Sequence, residues 1–391
     1  MRDLHLAEQV NFPEKITSSV ESPCFIVNED LLEKNLKKLY YVKKHTGAKI
    51  LLALKAFAMH SAFPLISKYL DGVSASGPIE AQLGHEKFGK EVHTFAVAFS
   101  DADMEKTIKY SDVIIFNSIE QWKKYRSVIK KSGKRIEIGL RVNPGRSNVG
   151  AALYNPTLPG SRLGVQPEDL EGADLEGIDG LHFHALCEQN SDALALVLGK
   201  FEKRYSRQLK KIKWVNFGGG HHITRKDYDI ELLIKTINRF KRKYGVQVHL
   251  EPGEAVVLNT GVLVSTVLDV VHNGIDIAVL DTSAEAHMPD VLAQPYRPEI
   301  IGAARPGELK YTFRLGGLTC LAGDVIGDYS FPKRLKPSDR LVFLDMSHYS
   351  MVKTTMFNGI KHPSIALYSR KSGKARIIRR FGYKDYRDRL S

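Results

Sequence analysis

Cysteine is scarce in this chain: three residues of 391, at Cys24, Cys187 and Cys320. Their odd number and wide spacing fit neither a disulfide framework nor a paired zinc motif. Reduced thiols are expected, one of them chemical. Long apolar runs are missing too, none nearing the roughly 20 residues that a membrane span needs. The opening MRDLHLAEQVNFPEK lacks the basic-then-apolar order of a secretory leader, so the expectation is a soluble cytoplasmic protein without a membrane partner. Acids are the scarcer charge, 44 against 57 Lys and Arg for a formal net charge of +13. Ten Lys or Arg against two acids fall between Lys361 and Ser391, so much of the excess is local. It reads as a solvated basic tail, and no nucleic-acid partner is expected.

What is present is enough for a large core: 43% of the residues are hydrophobic and 26% charged, in a chain too long for one average domain. Short apolar, β-branched runs recur at Ile50–Lys55, Leu70–Ala75, Val92–Val97, Val113–Asn117, Ile136–Asn143, Ile178–His184, Trp214–Gly218 and Val246–Glu251. Between them lie stretches with helical spacing, among them Ser61–Tyr69, Pro78–Phe88, Ser118–Lys131, Asp192–Leu209 and Tyr228–Tyr244. Eight strand–helix units predict an α/β fold with a closed (β/α)₈ barrel over residues 30–260; an open doubly wound sheet is the second architecture. Beyond Glu251 the strands come close together, at Gly261–His272, Ile277–Asp281, Lys310–Leu315 and Leu341–Leu344. This predicts a mainly antiparallel domain made of 1–29 and 261–391, with Cys24–Val27 as an added strand.

Reactive groups of parallel barrels lie at the carboxyl ends of the strands, and here those ends are polar. Lys55 follows the apolar Ile50–Leu54, where desolvation would lower its pKa and free a nucleophilic amine, as a Schiff-base lysine needs; a lysine snorkelling to solvent is the other reading. Gly218, Gly219 and Gly220 follow the seventh run, where bare amides approach a phosphate closely. Glu251 closes the eighth, placed to keep a pyridine nitrogen protonated, or to cap a turn. His182 and His184 share one face of the sixth run, which admits a metal site, a ring stacked on a cofactor, or plain core histidines. With Lys55 and Glu251 at the first and last ends, no metal is expected.

These segments resemble the fold-type III pyridoxal-phosphate enzymes, the superfamily of alanine racemase and the ornithine and diaminopimelate decarboxylases, and within it the decarboxylases of carboxylated polyamines. LLALKAF, GSRLGV, GLHFHALCE, FGGGHH, HLEPGEAV, EAHMPDVLAQPYRPE, GLTCLAGD and DMSHYSMVKTTMFNG carry the likeness. The resemblance implies pyridoxal 5'-phosphate as cofactor, a barrel plus a β-sandwich-like domain, and a head-to-tail homodimer with shared active sites. It implies that Lys55 holds the cofactor covalently, His184 stacks on its ring, the glycine triplet and Tyr349 hold its phosphate, and Glu251 pairs with the ring nitrogen. Cys320, from the partner subunit, would return a proton to the substrate carbon; composition alone favours reading it as a small buried hydrophobe.

One departure is informative. Where the ornithine and diaminopimelate enzymes carry EPGR, this chain has Glu254. A cationic phosphate contact is lost and a carboxylate gained. With Asp290 and Asp324 it is read as an acidic pocket for the amino groups of a polyamine-like substrate, against turn and cap chemistry for all three acids. The expectation is therefore decarboxylation of a small-molecule carboxy-polyamine in polyamine biosynthesis. The alternatives are another amino-acid decarboxylase of the same fold, acting on diaminopimelate, arginine or ornithine; a racemase; and a non-catalytic protein that binds pyridoxal phosphate or nucleic acid.

Overall fold

Parallel strands covered on both faces need apolar side chains on both, and Val113–Phe116, all four residues buried, is the plainest case here. In a computed structural model that describes Phe12–Ser391, strand β1 (Cys24–Asn28) precedes eight such strands. These are β2 (Lys49–Ala53), β3 (Gly72–Ala75), β4 (Glu91–Phe95), β5 (Val113–Phe116), β6 (Glu137–Arg141), β7 (Gly180–His182), β8 (Trp214–Asn216) and β9 (Gln247–Leu250). Each pairs in parallel with the next, and Lys49↔His249 and Ile50↔Leu250 join β2 to β9. The ring is closed, so the open doubly wound sheet is excluded. All eight expected strands form, each shorter than expected; Ile178–His184 contracts to Gly180–His182.

Small residues make room for large ones inside the barrel. A side chain on Gly139 would lie 2.5 Å from the Trp214 ring, and one on Gly180 would collide with it. Trp214 in turn stacks on His249 at 5.1 Å between centroids. The outer helices start on side-chain caps: Ser118 accepts from the Gln121 amide and Asp229 from the Leu232 amide. The expected helix over Ser61–Tyr69 is replaced by two short turns, His60–Ala62 and Phe63–Ile66. Pro64 is tolerated only in a first turn, which is where it sits. The expected Asp192–Leu209 helix runs instead from Ser191 to Arg204.

The remaining strands are β10 (Gly261–Asn273), β11 (Ile275–Leu280), β12 (Tyr311–Gly316), β13 (Val325–Phe331), β14 (Arg340–Leu344), β15 (Ser364–Ser369) and β16 (Lys374–Arg379). With β1 they form one eight-stranded sheet in the order β13-β12-β11-β10-β1-β15-β16, β14 pairing with β10. Only β1–β15 and β11–β12 are parallel. Strand β1 is buried on both faces: Phe25 joins a cluster with Leu263, Phe313 and Phe343, while Cys24 and Ile26 join another with Val262 and Val264. Cys24 is thus a small hydrophobe, its thiol pushed up to about 12 by burial.

The basic C-terminal stretch is not the solvated tail expected. It forms the β15–β16 hairpin, whose backbone is fixed by ladder bonds from Ile365↔Arg379 to Ser369↔Lys374, while Lys374, Arg376 and Arg379 remain exposed. Ala375 and Ile377 alternate with them, a period of two that the charge density masks in the sequence. The chain divides into two compact units, Glu33–Val256 and a second made of the described residues up to Leu32 together with Val257–Ser391. The residues before Phe12, counted above with the second domain, lie outside the described residues.

Candidate active site

Lys55 sits in the turn that ends β2. The Leu54 amide donates to Ser74 O at 3.0 Å and the Ala53 amide to Pro252 O at 3.1 Å, so the end of β2 is stitched to β3 and to the loop after β9. Gly253 makes that approach possible, since a Cβ there would lie 2.6 Å from Ala56 Cβ. The Lys55 side chain is reachable by solvent yet densely surrounded by protein, the situation of a group lining a concave mouth. Desolvation pulls its ammonium pKa below the usual lysine range; the charge of Glu251 opposes this and that of Arg141 adds to it.

Glu251 is 8% exposed. Its Oε1 accepts from Asn216 Nδ2 at 2.8 Å and its Oε2 lies 3.3 Å from His182 Nε2. Burial alone would raise its pKa, but His182 and the hydrogen bonds from His182 and Asn216 reverse this, and the carboxyl stays well below the usual carboxylate range. Burial lowers the pKa of His182 as well. A neutral imidazole donating through Nε2 satisfies both directions, so the ionised form of Glu251 rests chiefly on its contacts with His182 and Asn216. Arg141, at the end of β6, is 6% exposed, stacks over Phe95 at 4.5 Å and is lowered to about 10 by burial.

His184 lies beyond β7 and is oriented by the glycine triplet: its Nδ1 accepts the Gly219 amide at 2.9 Å. That bond, with burial beside Lys55 and Arg141, keeps the ring neutral. Gly218 and Gly220 have φ of +69° and +82°, and a Cβ on Gly220 would strike the Leu186 carbonyl, so both positions require glycine. The triplet is not a uniform cradle. The Gly218 amide is taken by Asn216 Oδ1 at 2.8 Å and the Gly219 amide by His184, leaving the Gly220 amide uncommitted among the described residues. Next in the chain, His221 is 1% and His222 6% exposed. Glu254 lies 3.2 Å from His222 Nε2, with 12% of its side chain exposed.

The other predicted residues belong to the second unit. Cys320 is exposed, with its amide donating to Asn358 Oδ1 at 2.8 Å. Asp324, predicted to meet substrate, is corrected: it is 4% exposed and already takes five donors, from Ser283 Oγ, the Ala284, Glu285 and Thr319 amides and Thr319 Oγ1, at 2.8 to 3.2 Å. An ionised carboxylate has about four lone-pair directions, so no acceptor site is left for an ammonium. Asp290 is ion-paired with Lys353 at 2.6 Å. Tyr349, at φ +44°, opens a turn whose Lys353 amide donates to its carbonyl at 2.9 Å.

Neither Asn216 nor Arg141 was among the predicted site residues. A polar residue inside the apolar Trp214–Phe217 run was the available signal for Asn216. Among the described residues no group of three or more His, Cys, Asp or Glu is arranged to hold a metal ion, and no helix is long and apolar enough to cross a membrane.

A buried, ionised carboxylate facing a desolvated lysine, with a neutral imidazole and a glycine turn beside them, fits a pyridine ring bearing a phosphate. Comparison with known proteins decides the family. Residues 24–347 match the model for the pyridoxal-dependent decarboxylase, C-terminal sheet domain. The chain belongs to the pyridoxal-dependent decarboxylases. Its cofactor is pyridoxal 5'-phosphate. The decarboxylase is 46% identical over 94% of its length, and 98% of the relative's, to a carboxynorspermidine/carboxyspermidine decarboxylase of Campylobacter jejuni. It is 44% identical to a carboxyaminopropylagmatine decarboxylase of Synechocystis, over 95% of this chain and 96% of that one. The crystal structure of a C. jejuni carboxynorspermidine decarboxylase complexed with norspermidine superposes with a TM-score of 0.88 at 44% identity, covering 95% of this chain and all of that one (100%).

Proposed function

We propose that this decarboxylase removes the carboxylate of carboxynorspermidine or carboxyspermidine, releasing norspermidine or spermidine in polyamine biosynthesis in the cytoplasm. The similarity to the C. jejuni enzyme over nearly the whole of both chains is the observation that carries the substrate. When bound, pyridoxal phosphate supplies an electron sink for the pair left behind as carbon dioxide departs. The chain's own residues do the rest. Lys55 is the attachment point, its amine made nucleophilic by desolvation. Glu251, held ionised by Asn216 and His182, faces the ring nitrogen as its counter-charge, and His184 presents a neutral ring face. Gly220 and Tyr349 seat the phosphate. Cys320 returns one proton to the carbon that lost carbon dioxide, so one carbon–carbon bond breaks and one carbon–hydrogen bond forms.

Cys320 and Lys55 lie in different units, and we read the thiol as reaching the site from the partner of a head-to-tail homodimer. Mixing Lys55→Ala with Cys320→Ala protein should then restore roughly a quarter of native activity, as statistical heterodimers with one intact site require. No recovery would remove the shared site. Asp290 and Glu254 are proposed to contribute negative charge toward the substrate's ammonium groups.

The carboxyaminopropylagmatine relative supports a second reading, a substrate arm ending in guanidinium rather than ammonium. The test is product detection by mass spectrometry with carboxynorspermidine, carboxyspermidine, carboxyaminopropylagmatine and diaminopimelate supplied separately. Turnover confined to the first two is expected. Preference for the third moves the substrate and keeps the chemistry, whereas preference for diaminopimelate overturns the polyamine reading.

A further inference from the structure

Glu254 poses an electrostatic problem. Barrels commonly seat a phosphate on the last two βα loops. Here those segments are Phe217–Asp229 after β8 and Glu251–Val256 after β9, tied together by Thr224 Oγ1 donating to Ala255 O. Glu254 sits on the second of them, nearly buried, three residues from Glu251. A carboxylate at that place repels a phosphate dianion, and little water is available to screen the repulsion. The group facing it is His222, with Nε2 at 3.2 Å from Glu254 Oε1 and only 8% of its side chain exposed. Neither ring nitrogen of His222 makes a hydrogen bond among the described residues. Polar ring nitrogens buried to that degree are unfavourable unless something meets them. His222 stands two residues beyond Gly220, the glycine of the triplet whose amide remains uncommitted.

We propose that His222 is a cofactor-binding residue. It gives an N–H to the phosphate of pyridoxal phosphate from the side that Glu254 flanks, standing beside the Glu254 carboxylate that would otherwise face the phosphate charge. Glu254, whose Oε1 lies 3.2 Å from Nε2, flanks the ring, in addition to any charge it offers the substrate. The inference rests on the phosphate seat proposed at Gly220 and adds to it a side-chain donor that the glycine amides do not supply.

Reconstitution of the apo-protein tests this without turnover, by titrating pyridoxal phosphate and, separately, pyridoxal, which lacks the phosphate, and following absorbance. Wild type should prefer the phosphorylated form. His222→Asn should weaken pyridoxal phosphate by about tenfold or more, as loss of a charge-assisted hydrogen bond implies, and leave pyridoxal unchanged. His222→Asn combined with Glu254→Gln should regain most of that loss, because the repelling charge goes too. Unchanged pyridoxal phosphate affinity in His222→Asn, equal losses for both ligands, or no recovery in the double variant would each overturn the role of His222. A wild type indifferent to the phosphate would instead overturn the phosphate seat itself.

Discussion

Asn216 holds Glu251 with one hydrogen bond to an ionised acceptor at 2.8 Å inside the barrel. Bonds of that kind contribute about 1.5–3 kcal/mol. Asn216→Ala should therefore lower kcat/KM by roughly 10- to 100-fold while circular dichroism stays native; unchanged kinetics would mean that Glu251 needs no help to remain charged. Lys55 and Glu251 stand out in the sequence because each follows an apolar strand with a charge, where position alone is informative. Arg141 and Asn216 were less legible, since their importance lies in what they face across the barrel. Asp324 was misread for the opposite reason: an acid near a candidate thiol looks like a ligand until its five donors are seen.

Asp324 also ties elements together. Its carboxylate joins the turn before Cys320, through Thr319, to the start of the Ala284–His287 helix. Asp324→Ala would strand several buried donors at about 1–3 kcal/mol each and free the Cys320 turn. The expected result is a drop in thermal midpoint together with faster reaction of Cys320 with a thiol reagent. An unchanged midpoint would contradict the linkage. At the barrel mouth, Gly253→Ala drives a methyl into Ala56 and should cost about 1–3 kcal/mol, lowering the midpoint and weakening cofactor retention. The eight barrel strands were legible from their apolar runs. The β13 strand and the β15–β16 hairpin were not, because polar and basic side chains dilute their alternation on partly exposed edges.

Across the molecule, burial keeps several histidines neutral. His221 and His287 are lowered to about 4 from an ordinary value near 6.5, one in each unit. The unfolded chain binds these protons first, so the folded state loses stability as pH falls from about 6.5 toward 4 and gains nothing further above that window. Urea midpoints should fall steadily across this range and level off near neutrality. A midpoint flat from pH 7 to 4.5 would show that these rings are not buried uncharged. We propose that the barrel mouth is organised around Lys55. Borohydride reduction of the holoenzyme followed by peptide mass mapping tests this directly. It should find the pyridoxyl group on Lys55, and Lys55→Ala should carry none and turn over nothing. A label on any other lysine, or an active Lys55→Ala variant, would contradict it.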